Sequence, residues 1–186
     1  MKPFDNVTSH ITPLPDHNVD TDQIIPKQFL KLVTRTGFGK YLFFDRRSSD
    51  FVLDDPRYKG SKILVAGDNF GCGSSREHAV WALQDFGFDV VISTSFADIF
   101  YSNCIKNGVL PICIPDTQTL LSEKNSITVD LQRQTIQHTS GTIHFEIDPH
   151  HKVTLLEGLD DISRTLQYDD MITLFEKDSP TPSVVL

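Results

Sequence analysis

Apolar residues in the middle of the chain predict a strand, a turn and a helix in succession. Lys62–Ala66 is a short apolar run of the kind that is buried in a parallel sheet. Beyond a glycine-rich stretch, apolar residues recur at helical spacing, at Ala79, Val80, Leu83 and Phe86. Ser74 and Glu77 fit a capping box, which places the helix start at Ser74 or Ser75, and Gly87 is its expected stop. A strand over 90–92 completes a βαβ unit, which implies parallel strands and a right-handed crossover.

The pattern elsewhere predicts an α/β protein with a partly parallel sheet and flanking helices. The other predicted elements are a strand over 7–14, a helix over 96–106, a strand over 109–114, a short helix over 115–121, a β-hairpin over 127–147 and a helix over 158–176. The hairpin is expected to turn at Ser140-Gly141. We expect a single domain over 1–178 and a disordered tail over 179–186.

Residues 27–61 are the least regular part of the chain, and we expect a mobile segment there. Basic residues surround a segment with two glycines, at Lys31, Arg35 and Lys40. Three aromatic residues are expected to anchor the segment to the body, namely Phe43, Phe44 and Phe51. Composition alone favours a solvated surface loop. The alternative is a basic loop that closes over an anionic substrate.

Composition and charge describe an ordinary globular chain and exclude several classes of protein. The 186 residues are 39% hydrophobic and 23% charged, so a core without disulfide staples is expected. A formal charge of −8 argues against nucleic acid or an anionic membrane surface as the partner. No apolar run approaches the roughly 20 residues of a membrane span, and we see no signal-peptide pattern. Three cysteines without paired spacing fit a reducing compartment, so we expect a cytoplasmic protein.

The stretch Gly67–Ala79 has the composition of an anion-binding site. It reads Gly-Asp-Asn-Phe-Gly-Cys-Gly-Ser-Ser-Arg-Glu-His-Ala. Backbone N–H groups and the positive end of the helix dipole are expected beside the hydroxyls of Ser74 and Ser75 and the guanidinium of Arg76. For Ser74 alone, a helix cap is the simpler interpretation. The whole string favours anion binding, because a cap needs neither the glycines before the serine nor the arginine after it.

Other patterns of catalysis or metal binding are excluded or left open by the same residues. The stretch lacks the lysine of a phosphate loop, the last glycine of a dinucleotide fingerprint and the second glycine of a hydrolase elbow. Cys72 could act as a nucleophile with His78 as its base, and the sequence leaves this possibility open. Asp20 and Asp22 suggest a metal loop, but the other ligands of a calcium loop are missing, and polar turn residues are the favoured interpretation.

Five segments of the chain resemble one known family, in the same order. Asp68–Ala79 resembles the signature of the swivelling domain of the aconitase superfamily, and the other segments are 20–26, 35–39, 103–111 and 158–162. Together they span nearly the whole chain. Within the superfamily, the chain looks like the small subunits of isopropylmalate dehydratases (isopropylmalate isomerases). The resemblance implies a swivelling β/β/α domain.

The resemblance also implies a two-subunit lyase of leucine biosynthesis. Such an enzyme interconverts 2- and 3-isopropylmalate by removing and re-adding water. In the family, three cysteines of the separate large subunit hold a [4Fe-4S] cluster, whose open iron acts on the leaving hydroxyl. Cys72, Cys104 and Cys113 contain no C-x-x-C pair, so we expect this chain to bind neither metal nor cofactor.

Individual roles follow from the resemblance, residue by residue. Ser74 matches the base that takes a proton from the substrate carbon, while Ser75 and Arg76 match residues that bind a substrate carboxylate. Asp22 matches an active-site acid. Residues 31–39 match the loop that contacts the variable side chain of the substrate, and the candidates there are Lys31, Leu32 for the isopropyl group, and Arg35.

Two alternatives stand beside this interpretation. One is the small subunit of a related hydro-lyase of the homoaconitate or citraconate type. The other is a non-catalytic module that binds anions and needs no iron-sulfur partner.

Overall fold

A parallel sheet of four strands lies at the centre of the structure, a computed structural model that describes residues 1–31 and 35–178. The strand order is β2-β3-β4-β5, with bounds Ile11–Leu14, Ile63–Ala66, Val90–Ser93 and Leu110–Cys113. Helix α2 (Glu77–Phe86) connects β3 to β4, and α3 (Asp98–Asn107) connects β4 to β5. All neighbouring strands in this sheet are parallel, which confirms the predicted βαβ unit.

A second, antiparallel sheet has the order β1-β6-β7-β8, with bounds Val7–Ser9, Ile127–Asp130, Thr135–His138 and Gly141–His144. The strand predicted over 7–14 is therefore two strands, because the chain passes at His10 from one sheet to the other. The hairpin prediction is confirmed in part. His138 pairs with Gly141 across the expected turn, and β6 adds a third strand.

Alternating side chains of β3 face two different hydrophobic clusters. Ile63 and Val65 are buried against the antiparallel sheet, in one cluster with Val129. Leu64 and Ala66 point the other way and are buried in a cluster with the apolar face of α2. This period of two fixes the layers as antiparallel sheet, parallel sheet and helices.

Seven α-helices are present in the described part of the chain. Besides α2 and α3 they are α1 Thr21–Ile24, α4 Gln118–Leu121, α5 Pro149–Glu157, α6 Asp161–Leu166 and α7 Asp169–Asp178. The predicted stop of α2 at Gly87 is confirmed, because this glycine caps the helix with a left-handed backbone (φ +118°). Gly108 (φ +82°) ends α3 in the same way. None of the described helices has both the length and the apolar composition to cross a membrane.

The single helix predicted over 158–176 is wrong, since two helices, α6 and α7, occupy this part of the chain. Gly158 ends α5 instead of opening a helix, with a left-handed backbone at φ +66°. A Cβ at this position would lie 2.6 Å from the backbone nitrogen of Pro3, so the N-terminal segment packs closely against it. The carboxylate of Asp160 then caps α6 by accepting a hydrogen bond from the Ser163 N–H at 2.7 Å.

In its described part, the segment predicted to be irregular contains five short 3₁₀ helices, at Lys27–Lys31, Gly39–Tyr41, Phe44–Arg46, Val52–Asp54 and Pro56–Tyr58. Phe43 anchors the segment as predicted, because its side chain is fully buried. Phe51 is partly buried against the same cluster. Phe44 was expected to do the same, but it is 48% exposed and packs edge-on against Phe29. Leu32 and the predicted tail lie outside the described residues.

Candidate active-site cleft

The glycine-rich stretch forms a turn at the carboxyl edge of the parallel sheet, where β3 ends. Its backbone is held to two neighbouring segments. The Gly71 N–H donates to the Val19 carbonyl at 2.8 Å, and the Thr21 N–H donates to the Cys72 carbonyl at 2.9 Å. On the other side, the Phe70 N–H donates to the Ser95 carbonyl at 3.0 Å. The turn is therefore fixed between α1 and the loop that follows β4.

Gly71 must be glycine for two independent reasons. Its backbone is left-handed at φ +77°, a conformation that side chains disfavour. A Cβ placed there would lie 2.1 Å from Cγ of Phe100, deep inside van der Waals contact. The glycine thus allows α3 to pack directly against the turn.

We expect Gly71→Ala to lower the free energy of unfolding by about 3 kcal/mol or more, from backbone strain plus overpacking. Gly37→Ala is the matched control, because Gly37 also has a positive φ (+90°) but no atom of the described residues lies within 4 Å of its added Cβ. That variant should lose only about 1 kcal/mol. Urea unfolding of both variants measures the difference, and equal losses would contradict the steric argument.

The predicted helix start is wrong, and Ser74 is not a helix cap. Helix α2 begins at Glu77, and its cap residue Arg76 makes no side-chain capping bond. The capping box fails because the Glu77 carboxylate does not reach back to the serine. It accepts a hydrogen bond from Nδ2 of Asn107 at 2.8 Å instead. Asn107 also accepts from the Trp81 indole at 3.0 Å, so Glu77 is held in a network between α2 and α3.

Ser74 presents a free hydroxyl from this turn. Its backbone carbonyl accepts hydrogen bonds from the Thr21 hydroxyl at 3.0 Å and from the Arg76 N–H at 2.8 Å, which fixes its main chain. Ser74 and Ser75 are both exposed. Within residues 1–31 and 35–178, neither serine hydroxyl makes a hydrogen bond. A rigid backbone with an unengaged hydroxyl suits a group that acts on a bound substrate.

Arg76 lies beside Ser74 and is held by Asp22 of α1. Nη1 of the arginine and Oδ1 of the aspartate form a salt bridge. The arginine side chain is only 20% exposed, whereas the aspartate is 52% exposed. The ion pair therefore fixes one edge of the guanidinium. The remaining N–H groups are geometrically suited to a carboxylate.

An open cleft of about 210 Å³ brings part of the predicted site together. The turn contributes Ser74 and Arg76 along one wall, beside Thr21. The opposite wall is the start of α3, which sequence reasoning missed, and its lining residues are Ala97, Asp98, Ile99 and Phe100. The isolated β-bridge between Phe70 and Phe96 fixes the two walls side by side. Adjacent carboxyl ends of parallel strands were the signal that could have found them.

The basic candidates of the predicted loop do not line this cleft. Lys31 is exposed at the end of a 3₁₀ helix. Arg35 lies against α2, with its guanidinium 5.4 Å above the Trp81 ring and Nη2 3.9 Å from Oε1 of Glu77. Ser75 follows Ser74 but is not among the residues that line the cleft.

Cys72 and His78 do not gain support as a nucleophile and base. Burial is the main cause that raises the pKa of the Cys72 thiol, and the nearby charge of Asp20 adds to it. The raised pKa disfavours the reactive thiolate. Burial lowers the pKa of His78, and its ring packs 4.6 Å from Trp81 and 5.3 Å from Phe38 between centroids. His78 therefore packs as an aromatic side chain against these two rings.

The aspartates of the predicted turn have structural partners. The Asp20 carboxylate caps α1 by accepting a hydrogen bond from the Gln23 N–H at 2.7 Å, so it orders the turn as the favoured interpretation predicted.

The three cysteines are dispersed. Cys104 is fully buried in the core and Cys113 is exposed at the end of β5. In the part of the chain that the structure describes, no three His, Cys, Asp or Glu side chains are grouped to hold a metal ion.

Comparisons with known proteins agree on one family. The model of the aconitase C-terminal domain matches residues 1–117. The 3-isopropylmalate dehydratase small subunit of Acidobacterium capsulatum is 56% identical, over 96% of this chain and 91% of the relative. The protein of that name from Paramagnetospirillum magneticum is 54% identical, over 98% of both chains.

A solved structure extends the agreement to the fold. The 3-isopropylmalate dehydratase structure from Methanocaldococcus jannaschii is 29% identical, with a TM-score of 0.72 over 92% of this chain and 99% of that one. The predicted resemblance and fold class are confirmed. The chain belongs to the aconitase C-terminal domain family and, within it, to the 3-isopropylmalate dehydratase small subunits, a hydro-lyase family.

Proposed function

We propose that this chain is the catalytic half-site of an enzyme that interconverts 2-isopropylmalate and 3-isopropylmalate. The observation that carries the proposal is the unengaged Ser74 hydroxyl beside the Arg76 guanidinium in one cleft. The substrate is inferred from the relatives. They are named 3-isopropylmalate dehydratase small subunit and are more than half identical over nearly the whole chain.

Ser74 acts as the base in this proposal. As its alkoxide, it takes the proton from the substrate carbon while the C–O bond to the hydroxyl on the neighbouring carbon breaks. The departing hydroxide takes up a proton from solvent to become water, and the serine hydroxyl returns its proton to solvent, so the net products are an alkene and water. Addition of water across the same double bond in the opposite sense gives the isomer. Arg76 and the positive end of α2 lie next to Ser74 and stabilise the negative charge that the base requires.

Arg76 and Ser75 hold a substrate carboxylate. The guanidinium is already fixed on one edge by Asp22, so it binds without losing side-chain freedom. We assign Lys31, Leu32 and Arg35 to recognition of the rest of the substrate. None of the described residues in that group lines the cleft, so this assignment rests on the family resemblance.

The site needs a partner subunit to be complete. The cleft of about 210 Å³ is smaller than the roughly 300–1,000 Å³ of typical ligand sites, and it is open to solvent. The name of the relatives, small subunit, implies a large one. We propose that the large subunit carries the [4Fe-4S] cluster, which supplies Lewis-acid chemistry at the leaving hydroxyl. The dispersed cysteines of this chain do not fit such a cluster. We place the complex in the cytoplasm.

The test is reconstitution of this chain with the large subunit of the same organism under anaerobic conditions. Absorbance of the alkene intermediate and chromatography of the two isomers measure turnover of 2-isopropylmalate, homoaconitate and a citraconate-type substrate. We expect turnover of isopropylmalate by the pair and none by either subunit alone. Preference for another of these acids would reassign the substrate, and full activity of the large subunit alone would remove this chain from the catalytic site.

A further inference from the structure

The C-terminal helices expose an apolar surface that nothing in the described chain covers. Helix α7 has no buried residue along its ten positions. Its large apolar side chains are strongly exposed, with Met171 at 67%, Leu174 at 61% and Phe175 at 71%. Helix α6 and the turn after it add Ile162, Leu166 and Tyr168. We call these six residues the C-terminal apolar face.

The spacing of these residues is that of a contact surface. Residues 168, 171 and 175 recur at intervals of three and four, so they lie along one side of the chain end, and residue 174 lies next to them. Monomeric proteins rarely leave so many large apolar side chains together in water. A helix that buries nothing in its own chain draws little stability from it. We therefore expect a contact outside the described chain to stabilise α7.

A groove joins the apolar face to the neighbourhood of the candidate site. One cleft of about 830 Å³ runs between α5 and α6 to Tyr168 and Ile172. A second, of about 500 Å³, runs from there to Arg35 and Glu77. The two clefts share four lining residues, Thr154, Leu159, Asp161 and Arg164. Glu77 directly follows Arg76 in the chain, so the groove runs from α7 to the residue next to the candidate site.

Charge around the face argues against a second copy of this chain as the occupant. Residues 160–178 contain six acidic and only two basic side chains. Two copies docked through this face would bring like charges together. A different chain with a basic rim around an apolar patch is complementary to it.

We propose that the C-terminal apolar face docks onto the large subunit, through an apolar patch with a basic border. The proposal rests on the proposed function, which requires a large subunit at the half-site. A single partner that covers both the cleft and the groove completes the active site and orders α7 in the same contact. The face sets the affinity of the two subunits and takes no part in the chemistry.

Phe175→Ser tests the proposal, with Phe44→Ser as the matched control. Both side chains are large, exposed aromatics, at 71% and 48%, but Phe44 lies on a 3₁₀ helix outside the face. The Kd for the large subunit is measured by titration calorimetry, and isomerase activity is followed as large subunit is added. We expect Phe175→Ser to raise Kd at least about ten-fold and Phe44→Ser to leave it unchanged. Saturating large subunit should restore the wild-type kcat, and added salt should weaken association.

Other results overturn the proposal. An unchanged Kd for Phe175→Ser removes the large subunit as the occupant. If wild-type small subunit is a dimer in sedimentation and Phe175→Ser is a monomer, the face is a contact between copies. If removal of residues 179–186 changes Kd while Phe175→Ser does not, the tail carries the contact. A wild-type pair that assembles but does not turn over isopropylmalate refutes the proposed function and leaves the docking result standing.

Discussion

Ser74→Ala should lower kcat of the reconstituted enzyme about 10²–10⁴-fold, the range expected when a general base is lost. The methyl group keeps the shape of the turn, and no hydrogen bond among the described residues depends on the hydroxyl. What disappears is the group that accepts the proton from the substrate carbon. Initial rates of isopropylmalate turnover at saturating large subunit measure the effect.

Ser75→Ala is the control for this prediction. Ser75 is equally exposed and adjacent in sequence, yet it does not line the cleft. We expect its variant to raise KM and to keep most of kcat, as for a residue that only contributes to carboxylate binding. Both variants should bind the large subunit with wild-type Kd and unfold at the wild-type temperature. A Ser74→Ala enzyme with near-normal kcat would show that the base is another residue.

The βαβ core could be predicted because local and global signals agree there. Strand β3 is a continuous apolar run, which is the pattern of a strand that is covered on both faces. Helix α2 has its apolar residues on one side and a glycine at its end. Each of these signals comes from a few neighbouring residues, so sequence alone contains it.

The start of α2 could not be predicted because its determinants are distant in sequence. Ser74 and Glu77 have the spacing of a capping box, but the Glu77 carboxylate is taken by Asn107, 30 residues away. The Ser74 carbonyl is fixed by Thr21 from the other direction, 53 residues away. Tertiary hydrogen bonds therefore overrode a local preference. The result is a serine hydroxyl that projects from a turn and is not used to cap a helix.

The end of the chain was misassigned for a different reason. Apolar residues at broadly helical intervals predicted a single helix, and the same residues turn out to be exposed on two helices. Periodicity reports which residues share a side and does not report what covers them. The break at Gly158 depends on contact with residues Met1 and Pro3 at the other end of the chain. The sequence of the segment alone shows neither what covers its apolar residues nor this contact with the N-terminus.

Arg76→Lys should lower kcat/KM about 100-fold, which corresponds to ~2.7 kcal/mol of lost transition-state binding. Lysine keeps the positive charge, so any effect measures the loss of the planar guanidinium. A guanidinium can hold Asp22 on one edge and a substrate carboxylate on the other, whereas an ammonium is a single point charge. The inhibition constant of isopropylsuccinate, which has no hydroxyl to eliminate, measures the carboxylate contact without the chemistry.

Asp22→Asn separates holding the arginine from binding the substrate. The amide oxygen still accepts a hydrogen bond from the guanidinium, so we expect kcat/KM to fall less than about ten-fold. Arg76→Lys should weaken isopropylsuccinate far more than Asp22→Asn does, because only the former removes the fork that faces the substrate. If Asp22→Asn is as damaging as Arg76→Lys, the aspartate itself contacts the substrate or its proton. If neither variant changes the inhibition constant, the carboxylate binds elsewhere, and the salt bridge serves only to join α1 to the turn.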